Sequence, residues 1–182
     1  AEDATTLDRI FVLRGDGTRP ATPGVTTRAF TPGRDVRIDY VTTFTNTELG
    51  AQVTTIDDRD GDGARDLVIS AHAHNNGRGQ VLVLSGATMG SGGAALTSDP
   101  GVTLTTINGG SGARLGAMLL ARSDLDSDLD GDGIDDLIVV ARQASAVRGF
   151  VWYGAALPAG TTTSVSASTS IVAPTAFRIG SV

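Results

Sequence analysis

The sequence predicts an all-β chain built from repeated four-stranded antiparallel units, and three observations lead there. Leu49-Gly50-Ala51 returns as Leu115-Gly116-Ala117, 66 residues on, and Ile179-Gly180-Ser181 begins the signature again after a further 64. Short runs of Val, Ile, Leu and Thr are punctuated by Gly, Asn, Asp and Pro, the pattern of strands joined by tight turns. An acidic nine-residue loop, Asp58-Arg59-Asp60-Gly61-Asp62-Gly63-Ala64-Arg65-Asp66, is repeated as Asp128-Leu129-Asp130-Gly131-Asp132-Gly133-Ile134-Asp135-Asp136. Each copy runs directly into an apolar segment, Leu67-Val68-Ile69 or Leu137-Ile138-Val139-Val140.

In chain order, residues 1–48 hold only the last part of a unit. Phe11–Leu13 supplies its third strand, and Val36–Phe44 or Val25–Phe30 its fourth, with Pro20, Pro23 and Pro32 reading as loop. Residues 49–114 form the first whole unit, with strands at Gly50–Ile56, Asp66–Ala71, Gln80–Ser85 and Val102–Ile107. Residues 115–178 repeat it with Gly116–Ala121, Asp136–Ala141, Gly149–Tyr153 and a strand near Ser170–Ala173; residues 179–182 start another. The second unit carries a short insertion at Ser123–Asp126, which a loop accommodates at little entropic cost. A repeating four-stranded unit of this length implies a β-propeller-type blade, and two whole blades make an incomplete propeller.

Composition narrows the function classes. Of 182 residues 40% are hydrophobic, enough to bury a core. The formal net charge of −6 is concentrated: Asp57, Asp58, Asp60, Asp62 and Asp66 crowd one loop, and Asp124 to Asp136 the other. No basic stripe exists to neutralise phosphates, which argues against nucleic acid as a partner. There is no Cys, so neither disulfide nor thiolate chemistry enters. No apolar run approaches the roughly 20 residues that span a bilayer, so no membrane insertion is expected.

The acidic loops carry the clearest chemistry. Aspartates at relative positions 1, 3, 5 and 9 around a glycine at position 6 let short carboxylates converge on one cation, and calcium takes six to eight oxygen ligands. Carboxylates packed this closely repel by about 1 kcal/mol per pair in water, and more near a protein surface, so a cation is needed to hold them. Two calcium ions would bring the formal charge to about −2. An EF-hand is excluded because its twelfth position, a bidentate Glu, is here Ile69 or Val139. A carboxylate-rich cage also suits calcium better than magnesium.

The arrangement Leu49-Gly50…Asp58-x-Asp60-x-Asp62-Gly63-x-x-Asp66-Leu67-Val68-Ile69…Gly79-Gln80-Val81-Leu82-Val83 resembles the FG-GAP repeat of integrin α-subunit propellers and their bacterial relatives. Leu stands in place of the Phe of that motif, and Ser70-Ala71-His72 and Val140-Ala141-Arg142 stand where Gly-Ala-Pro is usual. The resemblance implies a ring of seven such blades, far longer than this chain. It implies calcium ligation by Asp58, Asp60, Asp62, Asp66 and the Ala64 carbonyl in the first loop. In the second it implies Asp128, Asp130, Asp132, Asp136 and the Ile134 carbonyl.

Other signals read as structural. Arg14-Gly15-Asp16 spells the cell-attachment tripeptide, yet Gly15 aligns with Gly86 and Gly154 at the end of a third strand. His72-Ala73-His74 lacks a third metal ligand at suitable spacing. No nucleophile motif appears, and the chain is not expected to be an enzyme. Trp152 and Tyr153 are expected to pack between blades. The expected function is a secreted or cell-surface propeller segment, any signal peptide already removed, with structural calcium. Its partner would be a protein, neighbouring copies of itself or a glycan. The competing expectations are a self-assembling surface subunit whose Phe177–Val182 strand completes a neighbour's half-blade, and a non-catalytic accessory domain of a secreted polysaccharide-active enzyme.

Overall fold

The computed structural model describes residues 6–12, 35–42, 44–87, 94–95, 103–121, 128–143, 146–157, 159–163 and 169–174. Within them the chain is all β. The strands are β1 (Thr6–Val12), β2 (Val36–Thr42), β3 (Leu49–Ile56), β4 (Asp66–Ala71), β5 (Gln80–Leu84), β6 (Ala94–Ala95), β7 (Thr103–Asn108), β8 (Leu115–Leu120), β9 (Leu137–Gln143), β10 (Ala146–Trp152), β11 (Gly160–Thr163) and β12 (Thr169–Pro174). The second expected strand of the later unit begins one residue later, at Leu137, and the third begins earlier, at Ala146. Leu13, the Arg14-Gly15-Asp16 tripeptide, Val25–Phe30, Ser123–Asp126 and Phe177–Val182 lie outside the described residues.

Three sheets form, in the orders β1-β2-β6, β3-β4-β5-β7-β11 and β8-β9-β10-β12. Each expected four-stranded unit is there as an antiparallel meander. Two additions were not foreseen. β6 joins the free side of β2 in parallel, pairing Ile38 with Ala94. β11 joins β7 in the same way, pairing Gly160 with Thr105. Each of these segments leaves its own unit between the third and fourth strands and caps the outer edge of the preceding sheet, satisfying a row of backbone groups that an edge strand leaves open.

The sheets stack face to face. All residues of β4 and β5 are buried, because the middle sheet is covered on both sides. Leu67, Ile69, Leu82 and Leu84 pack against Val36, Ile38 and Tyr40 of the first sheet. Val68, Val81 and Val83 face the other way, against Leu115, Leu119, Leu137, Val139 and Trp152 of the third. A strand buried on both faces reads as a continuous apolar run, which explains why Leu67-Val68-Ile69 and Val81-Leu82-Val83-Leu84 do not alternate. Trp152 is wholly inaccessible in this core, in keeping with the packing role expected of it.

The repeated Leu-Gly pair is explained by this stacking. The β3–β4 register shifts between Leu49 and Val53, and the β8–β9 register between Leu115 and Met118. Gly50 and Gly116 sit at these bulges with φ of 82° and 87°. A Cβ at Gly50 would lie 3.2 Å from Ile10 Cδ1, and one at Gly116 would lie 2.7 Å from Ser70 Cβ. The glycine therefore marks a place where each sheet's first strand comes close to the sheet before it.

Two substitutions test the stacking. Ile69→Ala removes a buried side chain and should cost about 2–5 kcal/mol. Gly116→Ala meets both left-handed strain, on the order of 1–2 kcal/mol, and Ser70. Both should lower the urea midpoint at unchanged slope, whereas Phe11→Ala, at a position 51% exposed, should shift it far less.

Candidate metal centres

The two acidic loops link β3 to β4 and β8 to β9, and they are built alike bond for bond. In the first, Asp58 Oδ1 accepts from the Gly61 and Asp62 N–H groups (2.7 and 3.1 Å), and Asp58 Oδ2 from Gly63 (2.7 Å). In the second, Asp128 Oδ1 accepts from Gly131 and Asp132 (2.7 and 3.0 Å), and Oδ2 from Gly133 (2.8 Å). Asp60 and Asp130 each accept from the residue two ahead, at 3.2 and 3.1 Å. Asp62 and Asp132 accept the Ala64 and Ile134 N–H groups, both at 2.8 Å. Wrapping the chain this tightly needs left-handed backbone at Gly61, Gly63, Gly131 and Gly133, with φ between 77° and 87°. Nothing lies within 4 Å of a Cβ there, so glycine is required by conformation, not by space.

The ninth aspartate anchors each loop to its sheet. Asp66 is fully inaccessible and accepts from Arg59 N–H (2.9 Å) and Gly86 N–H (2.9 Å). Asp136, equally inaccessible, accepts from Leu129 N–H and Gly154 N–H, both at 2.7 Å. Gly86 and Gly154 follow the third strands, and a Cβ on them would lie 2.1 Å from Arg65 O and 2.5 Å from Ile134 Cγ2. That contact is the structural role the aligned glycines pointed to.

Charge follows these contacts. The Gly63 N–H, with those of Gly61 and Asp62, holds the Asp58 carboxyl below the usual carboxylate range against some desolvation; Gly133 does so for Asp128. The Ser85 hydroxyl and the Ala87 N–H, at 2.7 and 2.9 Å, lower Asp62. Burial pushes Asp66 up, opposed by its two N–H donors. Desolvation raises Asp130 too, with repulsion from Asp132, Asp136 and Asp128.

Of the expected carboxylate ligands, Asp58, Asp60 and Asp62 bring one oxygen each within 4.8 Å of one another, and so do Asp128, Asp130 and Asp136. Asp66 and Asp132 stand outside these groups, although the sequence treats positions 1, 3, 5 and 9 alike. Ala64 and Ile134 each follow the second loop glycine, and their N–H groups donate to Asp62 and Asp132. Three short oxygens at such range could hold a hard cation, whose remaining ligands would be carbonyls and water. The two histidines are drawn apart: His72 Nε2 meets Glu48 at 2.6 Å, whereas His74 Nδ1 meets the Tyr40 hydroxyl at 2.7 Å. Neither belongs to an acidic group.

The chain matches no known protein-family model and no curated protein.

The loops are also coupled to each other, which sequence reasoning missed. Arg65 donates to Asp57 (2.6 Å) and across to Asp135 of the other loop (2.5 Å), while Asp135 N–H donates to Asp57 at 2.9 Å. Arg59 reaches over to the Leu157 carbonyl at 2.8 Å. The one signal in the sequence was an asymmetry: positions 2 and 8 are Arg59 and Arg65 in the first loop but Leu129 and Asp135 in the second. Arg65 of the first loop supplies the bridging cation and Asp135 of the second receives it.

Gly86→Ala should lower the thermal midpoint more than Gly61→Ala does. The former forces the loop off its sheet, while the latter adds only left-handed strain of roughly 1–2 kcal/mol. Equal shifts would show that the loop is not seated on Gly86.

Proposed function

We propose that this chain is a calcium-binding, integrin-like β-propeller segment of an extracellular or cell-surface protein. It acts in adhesion or recognition of a protein, a further copy of itself or a glycan, and its calcium is structural. The observation that carries the reading is the pair of acidic loops, alike in every internal hydrogen bond, each gathering three carboxylates within 4.8 Å. Four-stranded meanders stacked face to face support the blade assignment. The resemblance to FG-GAP repeats supplies the identity of the ion and the ligand set, and weak sites of this kind fill where calcium is near millimolar, outside the cell.

In this reading calcium replaces the repulsion among the loop carboxylates by attraction to a shared cation. It thereby locks the turn between the first two strands of each blade, and through Arg65 it locks neighbouring blades together. The loops hold the recognition surface and take no part in bond making.

A second reading, self-assembly through strand exchange, is favoured by one feature. β1 pairs only with β2 among the described strands, and a strand from another copy would add beside it. Size exclusion separates the two: a concentration-independent monomer excludes assembly.

Calorimetry should find two calcium ions per chain. With free calcium at ten times Kd, each site contributes about 1.4 kcal/mol, so EDTA should lower the melting temperature by roughly 5–10 °C. Asp62→Ala or Asp132→Ala should each remove one equivalent. A melting curve indifferent to EDTA, with no heat of calcium binding, overturns the proposal.

A further inference from the structure

At the end of β4 remote from the acidic loop, the turn into β5 builds a second polar site. Asn75 and Asn76 both take left-handed backbone, with φ of 50° and 56°. Such conformations cost free energy and mark places where the surroundings dictate the chain path. The turn is held by its neighbours: Gly79 N–H bonds the His74 carbonyl, Gly109 N–H the Gly79 carbonyl, and Arg114 N–H the Gly77 carbonyl. Between them lies a cleft of about 250 Å³ lined by His74, Asn75, Arg78, Gly79, Asn108 and Gly109.

A chain of side-chain hydrogen bonds from three strands fixes what this cleft presents. Gln80 Nε2 donates to Asn108 Oδ1 at 2.8 Å, which sets the orientation of both amides. Gln80 Oε1 is then an acceptor, and the Tyr40 hydroxyl donates to it at 2.5 Å. Having spent its one proton, the Tyr40 oxygen must accept from His74 Nδ1 at 2.7 Å. The proton of His74 is therefore on Nδ1, and Phe44 packs edge-on against the ring, 4.8 Å between centroids. Burial lowers the His74 pKa and so favours the neutral ring, in which Nε2 carries a lone pair. The described residues show no hydrogen bond to that atom, and His74 is one of the residues that line the cleft.

We infer that this cleft binds a small hydroxylated carboxylate of sugar-acid size. The exposed Arg78 guanidinium and the Asn108 amide N–H groups take the carboxylate, and His74 Nε2 accepts a ligand hydroxyl. A single guanidinium in the lining matches one carboxylate charge, which it can grip with two parallel hydrogen bonds. The volume falls just below the usual range of ligand pockets, ~300–1,000 Å³, which suits a monosaccharide and not a longer chain. The site is independent of calcium in the loops.

The test is a titration of D-galacturonate into the whole chain, followed by the His74 ring-nitrogen resonances and by calorimetry, with calcium and again with EDTA. One site is expected, with the Nε2 resonance moving and binding retained in EDTA. Acetate, which lacks the hydroxyls, should bind more weakly by about the several-fold of a neutral hydrogen bond. Galactose, which lacks the carboxylate, should bind about tenfold or more weakly through loss of a charge-assisted hydrogen bond. Arg78→Gln, at an exposed position, should weaken galacturonate by a similar factor while leaving the chain folded by Trp152 fluorescence. Binding that needs calcium, equal binding of acetate or of inorganic phosphate, an unmoved Nε2, or full affinity in Arg78→Gln would each overturn the assignment.

Discussion

Asp66 and Asp136 are the constraint around which the molecule is organised. Each is a carboxylate removed from solvent, and such a group is tolerated only where donors replace the lost water. The donors are backbone N–H groups from two places: the second residue of its own loop, and the glycine that follows the third strand. One side chain therefore closes the loop on itself and fastens it beyond the end of the adjacent strand, β5 or β10. Removing it would leave two N–H groups without their acceptor and free the loop from β5 or β10. In the first loop Asp58, Asp60 and Asp62 cluster without the anchor, whereas in the second the anchor Asp136 is itself one of the three clustered carboxylates.

A second constraint is the double coverage of the middle sheet. Its apolar runs alternate between two neighbours, so neither face can change without a neighbour answering. Closeness leaves little room for side chains, and Gly50 and Gly116 stand at two such close approaches. At the opposite end from the loops, the packing is completed by polar groups. Tyr40, His74, Gln80 and Asn108 come from separate strands and turns, yet their donors and acceptors match along the chain of bonds; burial raises the Tyr40 pKa far above the usual phenol, so the hydroxyl keeps its proton.

Much of this was legible in residue order. Strand positions followed from Val, Ile and Leu runs between glycines, and the loops from their aspartate spacing. Gly86 and Gly154 were legible as structural from their alignment. The rest depended on contacts distant in sequence. Nothing local marks Ala94–Ala95 or Gly160–Thr163 as strands, because they are strands only by virtue of the edge they meet. The Arg65–Asp135 bridge spans two units and shows in the sequence only as a mismatch between them. The pairing of His74 with Tyr40 joins the β4–β5 turn to a strand of another sheet, so nothing in the His72-Ala73-His74 spacing announces it. Likewise, the equal spacing of the loop aspartates hid that Asp66 is an anchor while Asp58, Asp60 and Asp62 converge.

The capping strands β6 and β11 impose an order in time. From the end of β2 at Thr42 to Ala94, and from the end of β7 at Asn108 to Gly160, the separation is 52 residues in both cases. A sheet emerging from the ribosome therefore keeps its outer edge bare until most of the following unit has been made, about 3–10 s at ordinary elongation rates. Each unit matures its predecessor, and translation sets the pace at which the growing chain loses its stickiest surface.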